Sequence, residues 1–258
     1  MSDLQVLDDC CQVLDDYRRC FERGIKANNH QDDPPAIMLV RGLAFGRQSL
    51  KATRLLLSEG GYEAQACAVC RAFFEVAIRL LWASRENWGW ARLQTYWAKE
   101  DKKLAEDLKD VPDLAQAAGE LLRFSKEVLD RRDEGGDPIK TAPKMPETIA
   151  DIEKRDKVES RTSLVSSKYS YAWLYRGLCR GAHGHISVLD PPSRYAKGFR
   201  RLGCRAAVLA ASALLLALVH VVGEEDQRER GFESLMATIQ GCWATFDRSS
   251  GEDAGYVK

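Results

Sequence analysis

The segment AAVLAASALLLALVHVV, residues 206–222, is the most apolar stretch of the chain and decides which fold the sequence can adopt. Only Ser212 and His220 interrupt its run of aliphatic residues. It covers 17 residues and is rich in Ala, whereas a bilayer-spanning helix needs about 20 strongly apolar residues. A helix that is apolar on all sides normally lies inside a protein core. We therefore expect a long buried C-terminal helix in a bundle and no association with a membrane.

The rest of the chain also carries the spacing of amphipathic helices. Apolar residues recur at three- and four-residue steps, and Gly60-Gly61 and Asp190-Pro191-Pro192 provide helix stops and turns. We find no internal repeat and no strand pattern. The sequence therefore predicts an all-α fold, a helical bundle of about eight or nine helices. The predicted helices cover residues 2–26, 36–58, 62–85, 88–108, 112–132, 147–158, 167–183, 194–222 and 227–246.

A loop divides the polar middle of the chain. Residues 133–147, DEGGDPIKTAPKMPE, contain two glycines and three prolines, which oppose regular structure. We predict that residues 1–98 and 160–258 form the helical core and that residues 99–159 are a helical insertion. The helical pattern leaves open whether this insertion is a separate subdomain or part of the same domain.

Charge and composition limit the classes of function. The chain has 38 basic and 38 acidic residues, so it lacks the excess positive charge of a general nucleic-acid coat protein. Any polyanionic partner must therefore bind to a local basic patch. The N-terminus has neither the basic start nor the apolar core of a signal peptide. These features predict a soluble, cytoplasmic protein.

The eight cysteines do not follow the spacing of a disulfide framework or a zinc site. Cys67 and Cys70 form a single CxxC pair, and none of the four histidines lies at a ligand-like spacing from it. Packing as small buried side chains is our interpretation, with a redox pair or half of a zinc site as alternatives. We expect no metal and no cofactor.

The stretch YSYAWLYRGLCRGAHGH, residues 169–185, contains the side chains best suited to chemistry. On a straight α-helix, two aromatic residues, two arginines and a histidine would share one face, since they lie three or four residues apart. Such a group suits phosphodiester cleavage, because imidazole exchanges protons while guanidinium groups stabilise charge on phosphate oxygens. The five residues are Tyr169, Trp173, Arg176, Arg180 and His183.

This stretch resembles the HEPN superfamily. Arg176, followed by six residues and His183, fits the Arg-x(4–6)-His signature of these proteins, and Arg180 with His185 fits it as well. Over roughly residues 40–220, the chain also resembles a bacterial all-helical family of unknown function. That family has an Arg-x-x-x-Glu helix, here Arg71 to Glu75, and a later Tyr-rich helix that ends in His-Gly.

The resemblance implies both an activity and partners. HEPN proteins are all-helical and commonly dimeric, and many are metal-independent ribonucleases of toxin–antitoxin and phage-defence systems. The resemblance implies that Arg176 and Arg180 stabilise the scissile phosphate, and that His183 acts on the 2′-hydroxyl or the leaving oxygen. His185 is a further catalytic candidate. RNA would be the substrate, a homodimer would form a composite site, and a cognate antitoxin or other protein would be a partner.

Two further sets of polar residues accompany this stretch. Arg71, Glu75 and Arg79 recur at four-residue steps among apolar residues. We expect Glu75 to pair with Arg176, Arg180 or His183, because an unpaired buried charge costs several kcal/mol; an exposed ladder is the alternative. A basic stripe at steps of three and four residues would follow a phosphate backbone, and a solvated helix face is the alternative. The stripe consists of Arg194, Lys197, Arg201 and Arg205, and Arg200 widens it.

Three functions therefore remain open. The first is a HEPN-like, metal-independent endoribonuclease, or an RNA-binding derivative of one, in a bacterial toxin or phage-defence system. The second is a non-catalytic helical interaction or oligomerisation protein that uses Trp88, Trp90 and Trp97 as a surface. The third is a small-ligand or nucleotide sensor with the Arg and His residues as an anion pocket.

Overall fold

The computed structural model describes residues 3–27, 33–159, 165–182 and 196–222. Within these ranges the chain is helical almost throughout and forms no β-strand, which confirms the predicted all-α class. A 3-10 turn at Pro112–Leu114 precedes α5, and a π-helix at Ser167–Tyr175 runs directly into α7. The α-helices are α1 (Asp3–Ala27), α2 (Pro34–Glu59), α3 (Glu63–Arg85), α4 (Gly89–Leu108), α5 (Ala115–Leu129), α6 (Met145–Val158), α7 (Arg176–Ala182) and α8 (Ala196–Val222).

The chain divides into two compact units at positions that differ from the predicted insertion. The first unit is Met1–Trp82 with Met145–Lys258, and the second is Ala83–Lys144. The second unit starts earlier than residue 99 because α4 packs along α5. It also ends before residue 159, because α6 packs against the π-helix and so belongs to the first unit. We had placed the boundaries from the polarity of residues 99–159, and polarity does not indicate which helices pack together.

Helix α8 forms the centre of the first unit, as the segment at residues 206–222 predicted. All residues from Ala206 to Leu215 are buried, and α8 packs against α1, α2 and α7. Within the described residues, Gly198–Val221 is the one stretch long and apolar enough to cross a membrane. However, 83% of its most apolar window is buried inside the protein. The core helix of a soluble protein accounts for both properties.

A buried carboxylate joins α1 to α2. Asp15 forms ion pairs with Arg18 and Arg19 of its own helix, at 3.3 and 2.6 Å, and with Arg47 of α2 at 3.1 Å. Burial raises the pKa of Asp15, but its hydrogen bond with Arg18 and the charges of Arg19 and Arg47 outweigh that effect. The pKa therefore lies below its ordinary value. The network keeps Asp15 ionised inside the α1–α2 interface.

The paired cysteines serve as packing groups. Cys67 donates a hydrogen bond to the carbonyl of Phe199 at 3.3 Å, and the sulfur of Cys70 lies 3.3 Å from the hydroxyl of Thr53. Both thiols are buried, and burial raises the pKa of Cys70 to about 12. Since the thiolate is the reactive form of cysteine, this environment favours packing over redox chemistry. No group of metal-ligating side chains is assembled within the described ranges.

A glycine lets α2 approach its neighbours closely. A Cβ atom at Gly46 would lie 2.6 Å from Cε2 of Phe73 and 3.0 Å from Cδ1 of Leu14. Phe73 and Leu14 are both fully buried, so neither side chain can move aside without disturbing the core. The close approach of α1, α2 and α3 therefore depends on the missing side chain at this position.

We expect Gly46→Ala to lower the free energy of unfolding by about 1–2 kcal/mol, because the cost of overpacking exceeds the gain in helix propensity. Urea unfolding followed by far-UV circular dichroism measures this change. Gly198→Ala in α8 is the matched control, since its new methyl group would meet no other described part of the chain within 4 Å, apart from the backbone of its own helix. An unchanged unfolding midpoint for Gly46→Ala would contradict the close packing of α2.

Candidate functional site

A nine-residue π-helix, Ser167–Tyr175, carries the centre of the candidate site. Ser166 begins it, and its hydroxyl accepts a hydrogen bond from the backbone N–H of Tyr169 at 3.0 Å. Glu153 of α6 accepts hydrogen bonds from the backbone N–H and the hydroxyl of Ser167, at 3.0 and 2.8 Å. Side chains therefore satisfy the N–H groups of Ser167 and Tyr169 in the first turn of the π-helix. Helices of this kind are rare and often occur at functional sites.

The π-helix corrects the prediction of a straight α-helix over residues 167–183. A π-turn closes a hydrogen bond from i to i+5, so residues beyond it are rotated about the axis relative to a continuous α-helix. Regular α-helix begins only at Arg176. The buried side consists of Ser170, Leu174 and Leu178. The five residues predicted to share one face therefore do not follow the geometry of a straight α-helix. We call the side with the buried residues and the contacts to α3 the inner side, and the exposed side the outer side.

The inner side of this helix is attached to α3 by a polar cluster of Arg71, Glu75 and Tyr175. Glu75 Oε1 accepts hydrogen bonds from the Tyr175 hydroxyl at 2.7 Å and from Arg71 Nε at 3.0 Å. The Arg71 guanidinium lies 5.6 Å from the centroid of the Tyr175 ring. Burial and the neighbouring Glu75 carboxylate raise the pKa of Tyr175, so its hydroxyl remains a hydrogen-bond donor. This cluster fixes the residue directly before Arg176.

Glu75 contacts the π-helix across the helix interface, but through neither arginine that we predicted as its partner; His183, the third predicted partner, lies outside the described residues. The partner of Glu75 on the π-helix is Tyr175, and Glu75 pairs with neither Arg176 nor Arg180. Glu75 also forms an ion pair with Arg71, which lies four residues earlier on α3, and the four-residue spacing in the sequence is consistent with this pair. Tyr175 is thus the site residue that the sequence reasoning missed. The sequence did contain a signal for this contact. Glu75 lies among apolar residues and so needs a hydrogen-bond donor, and the stretch from residue 169 to 175 is rich in tyrosine.

The outer side of the helix carries a stacked aromatic pair. The rings of Tyr169 and Trp173 lie 5.1 Å apart with an interplanar angle of 22°, in agreement with their four-residue spacing. They are 36% and 43% exposed. Arg205 of α8 places its guanidinium carbon 5.6 Å from the centroid of the Trp173 ring. We call these three residues the aromatic–arginine ladder.

The other candidate residues of the stretch lie partly outside the described ranges. Arg176 and Arg180 are exposed on α7. His183 and His185 lie outside the described residues, so the structure does not relate either imidazole to the arginines. On α3, Arg71 belongs to the Glu75 cluster, and Arg79 is buried.

The predicted basic stripe is only partly a solvent-facing row. Arg205 lies against Trp173, and Arg201, one turn earlier on α8, is half-buried. We expected Arg200 to widen the stripe. Instead, Arg200 forms an ion pair with Asp3 of α1 at 3.1 Å. Arg194 and the side chain of Lys197 lie outside the described residues. The stripe therefore contributes Arg205 to the outer side of the π-helix.

The exposed surface of the π-helix and α7 carries both aromatic rings and basic side chains. Arg176, Arg180 and Lys168 are exposed on the same helix as the ladder. Neither Arg176 nor Arg180 forms an ion pair with any acidic residue in the described part of the chain. Guanidinium groups bind phosphate oxygens through paired N–H donors, and aromatic rings stack with nucleobases. This surface can therefore hold an anion that also carries a planar ring.

The comparisons with known proteins identify a family without a described activity. A model described as a family of unknown function (DUF5677) matches residues 37–194. The matched region runs from α2 through α7 and so contains the Glu75 cluster and the aromatic pair. No curated protein and no solved structure matches the chain.

We expect Tyr175→Phe to lower the free energy of unfolding by about 1 kcal/mol, because it removes a hydrogen bond to a partly buried carboxylate and keeps the ring. Urea unfolding of Tyr175→Phe, Glu75→Gln and the double variant measures the coupling between them. Tyr171→Phe is the matched control. Its ring stacks on Tyr175, but its hydroxyl bonds to no residue that the structure describes. Strictly additive effects of the two substitutions would contradict the cluster.

Proposed function

The chain belongs to the family of unknown function DUF5677, and we propose that it is a HEPN-like, metal-independent endoribonuclease or an RNA-binding derivative of one. The observation that carries this proposal is the exposure of Arg176 and Arg180 on α7. Both arginines precede His183 and His185 at the spacing of the Arg-x(4–6)-His signature. Their guanidinium groups are thus accessible to a phosphate, and the proposed catalytic histidines follow a few residues later in the sequence.

The proposed reaction is a transesterification at phosphorus. His183 accepts the proton of the ribose 2′-hydroxyl, and the 2′-oxygen attacks the adjacent phosphate. The bond to the 5′-oxygen then breaks, and that oxygen takes up a proton, for which His185 is the candidate donor. Arg176 and Arg180 bind the non-bridging oxygens, where negative charge increases in the transition state. A 2′,3′-cyclic phosphate and a 5′-hydroxyl are the products.

The same proposal includes the setting of the enzyme. It acts in the cytoplasm as a homodimer, in which two protomers contribute to one composite site. A cognate antitoxin or another protein partner of a bacterial toxin–antitoxin or phage-defence system controls it. The burial of the apolar helix α8 supports a soluble protein, which this setting requires.

A non-catalytic interaction protein is the second candidate. Exposed apolar side chains in the second unit favour it, since large exposed apolar groups often mark protein-binding surfaces. The surface differs from the one predicted, because Trp90 and Trp97 are half-buried and only Trp88 is exposed. The other exposed apolar residues of this unit are Leu104, Val111, Leu114 and Phe124.

Cleavage of RNA in EDTA separates the two candidates. We expect the wild-type protein to cut a mixed RNA, and His183→Ala and Arg176→Ala each to lower the rate about a hundredfold or more, as proton transfer and charge stabilisation are lost. Arg123→Ala, at an exposed arginine of α5 outside the proposed site, should cut normally.

Chemical analysis of the products makes this test more specific. A substrate with a 2′-O-methyl group at the cleaved position should resist cutting, because the proposed nucleophile is blocked. Absence of cleavage by the wild type, or equal cleavage by all variants, contradicts the nuclease and favours the interaction protein. Cutting of the 2′-O-methyl substrate would contradict the mechanism.

A further inference from the structure

We propose that the aromatic–arginine ladder of Tyr169, Trp173 and Arg205 is a binding site for an unpaired nucleobase. The substrate class of the proposed nuclease is then single-stranded RNA. This inference rests on the proposed function for the identity of the ligand as RNA. The ladder itself is a property of the described structure, and its role in binding can be tested without any cleavage.

The aromatic pair of Tyr169 and Trp173 is exposed and can therefore be reached by a base. The π-helix contains two stacked pairs, and the inner one, Tyr171 with Tyr175, is connected to α3 through Glu75. The outer pair, Tyr169 with Trp173, stands on the opposite side and leaves a large part of both rings accessible. Their mutual stacking holds the rings in a defined orientation before a ligand arrives. A preformed aromatic surface loses little side-chain entropy when a base stacks on it.

The charge around the pair is a second argument. Arg205 reaches the Trp173 ring from α8, and Arg176, Arg180 and Lys168 are exposed along the same helix as the pair. Arginine can stack on a base and also pair with a phosphate. The chain as a whole has no net charge, so these basic residues on the helix that carries the aromatic pair are a local feature. Basic and aromatic side chains on one exposed helix suit a nucleic-acid strand, in which phosphates alternate with bases.

The geometry favours a single strand over a duplex. Bases inside a double helix are already stacked on their neighbours, so they cannot reach an aromatic side chain without being unpaired. Proteins that bind single strands combine basic grooves with aromatic rings on which bases stack. The ladder therefore selects an unpaired base, and Arg176 and Arg180 would receive phosphates of the same strand.

The test uses a short single-stranded RNA that carries 2-aminopurine, whose fluorescence is quenched when it stacks on an aromatic ring. The sugars carry 2′-fluoro groups, so the proposed attack by a 2′-hydroxyl cannot occur. We expect the full-length wild-type protein to bind this RNA and quench it. Trp173→Ala should weaken binding about tenfold or more and abolish the quenching, because base stacking on one aromatic side chain accounts for a change of this size.

Two variants control for structure and for aromatic surface in general. Trp173→Phe keeps a ring and should retain most of the affinity and the quenching. Tyr62→Ala removes an aromatic side chain that is 49% exposed directly before α3, and this variant should bind the RNA as the wild type does. Circular dichroism shows whether each variant keeps its helical content. The same RNA in a duplex should bind at least tenfold more weakly.

The outcomes separate this inference from the proposed function. If quenching depends on Trp173 but the protein cuts no RNA, the base-binding site is supported and the proposed nuclease activity is contradicted. Cleavage of RNA together with unchanged binding and quenching by Trp173→Ala removes the base-binding site and leaves the nuclease. Equal affinity for duplex and single strand, or no binding by the wild type, overturns the inference.

Discussion

A carboxylate among apolar side chains must find hydrogen-bond donors, and the way Glu75 meets this requirement determines how the candidate site is built. Glu75 is half-buried, so part of its hydration is lost on folding and hydrogen bonds must replace it. Glu75 receives hydrogen bonds from Arg71 on its own helix and from Tyr175 on the π-helix. The second bond fixes the rotation of the π-helix about its axis. Leu174 and Leu178 are buried on the inner side, so Trp173, Arg176 and Arg180 are left towards solvent.

The π-helix is stable because polar contacts hold it at both ends. At its start, Ser166 and Glu153 accept hydrogen bonds from backbone N–H groups that the helix itself cannot satisfy. At its end, Tyr175 is held by Glu75. An irregular helix persists when the surrounding structure determines its conformation from several directions. The base-binding site that we propose depends on this constraint, since it connects one aromatic pair to α3 and leaves the other exposed.

The sequence was sufficient for the features that depend on hydrophobic periodicity. The burial of residues 206–215 and the helix breaks at Gly60 and Gly61 follow from local composition, and the structure confirms them. The π-helix could not be predicted, because no residue pattern in 167–175 distinguishes it from an α-helix. The partner of Glu75 and the ion pair of Arg200 with Asp3 join distant parts of the chain. Such contacts depend on how the helices pack, and the periodicity of a single helix does not contain that information.

Photo-crosslinking locates bound RNA most directly. A single-stranded RNA containing 4-thiouridine is bound to the protein and irradiated, and the crosslinked peptides are identified by mass spectrometry. If the outer side of the π-helix binds RNA, the crosslinks will fall on Tyr169, Trp173 and the part of α8 around Arg205. Crosslinks confined to α4 and α5, or absent from residues 169–180 and 205, would contradict the account.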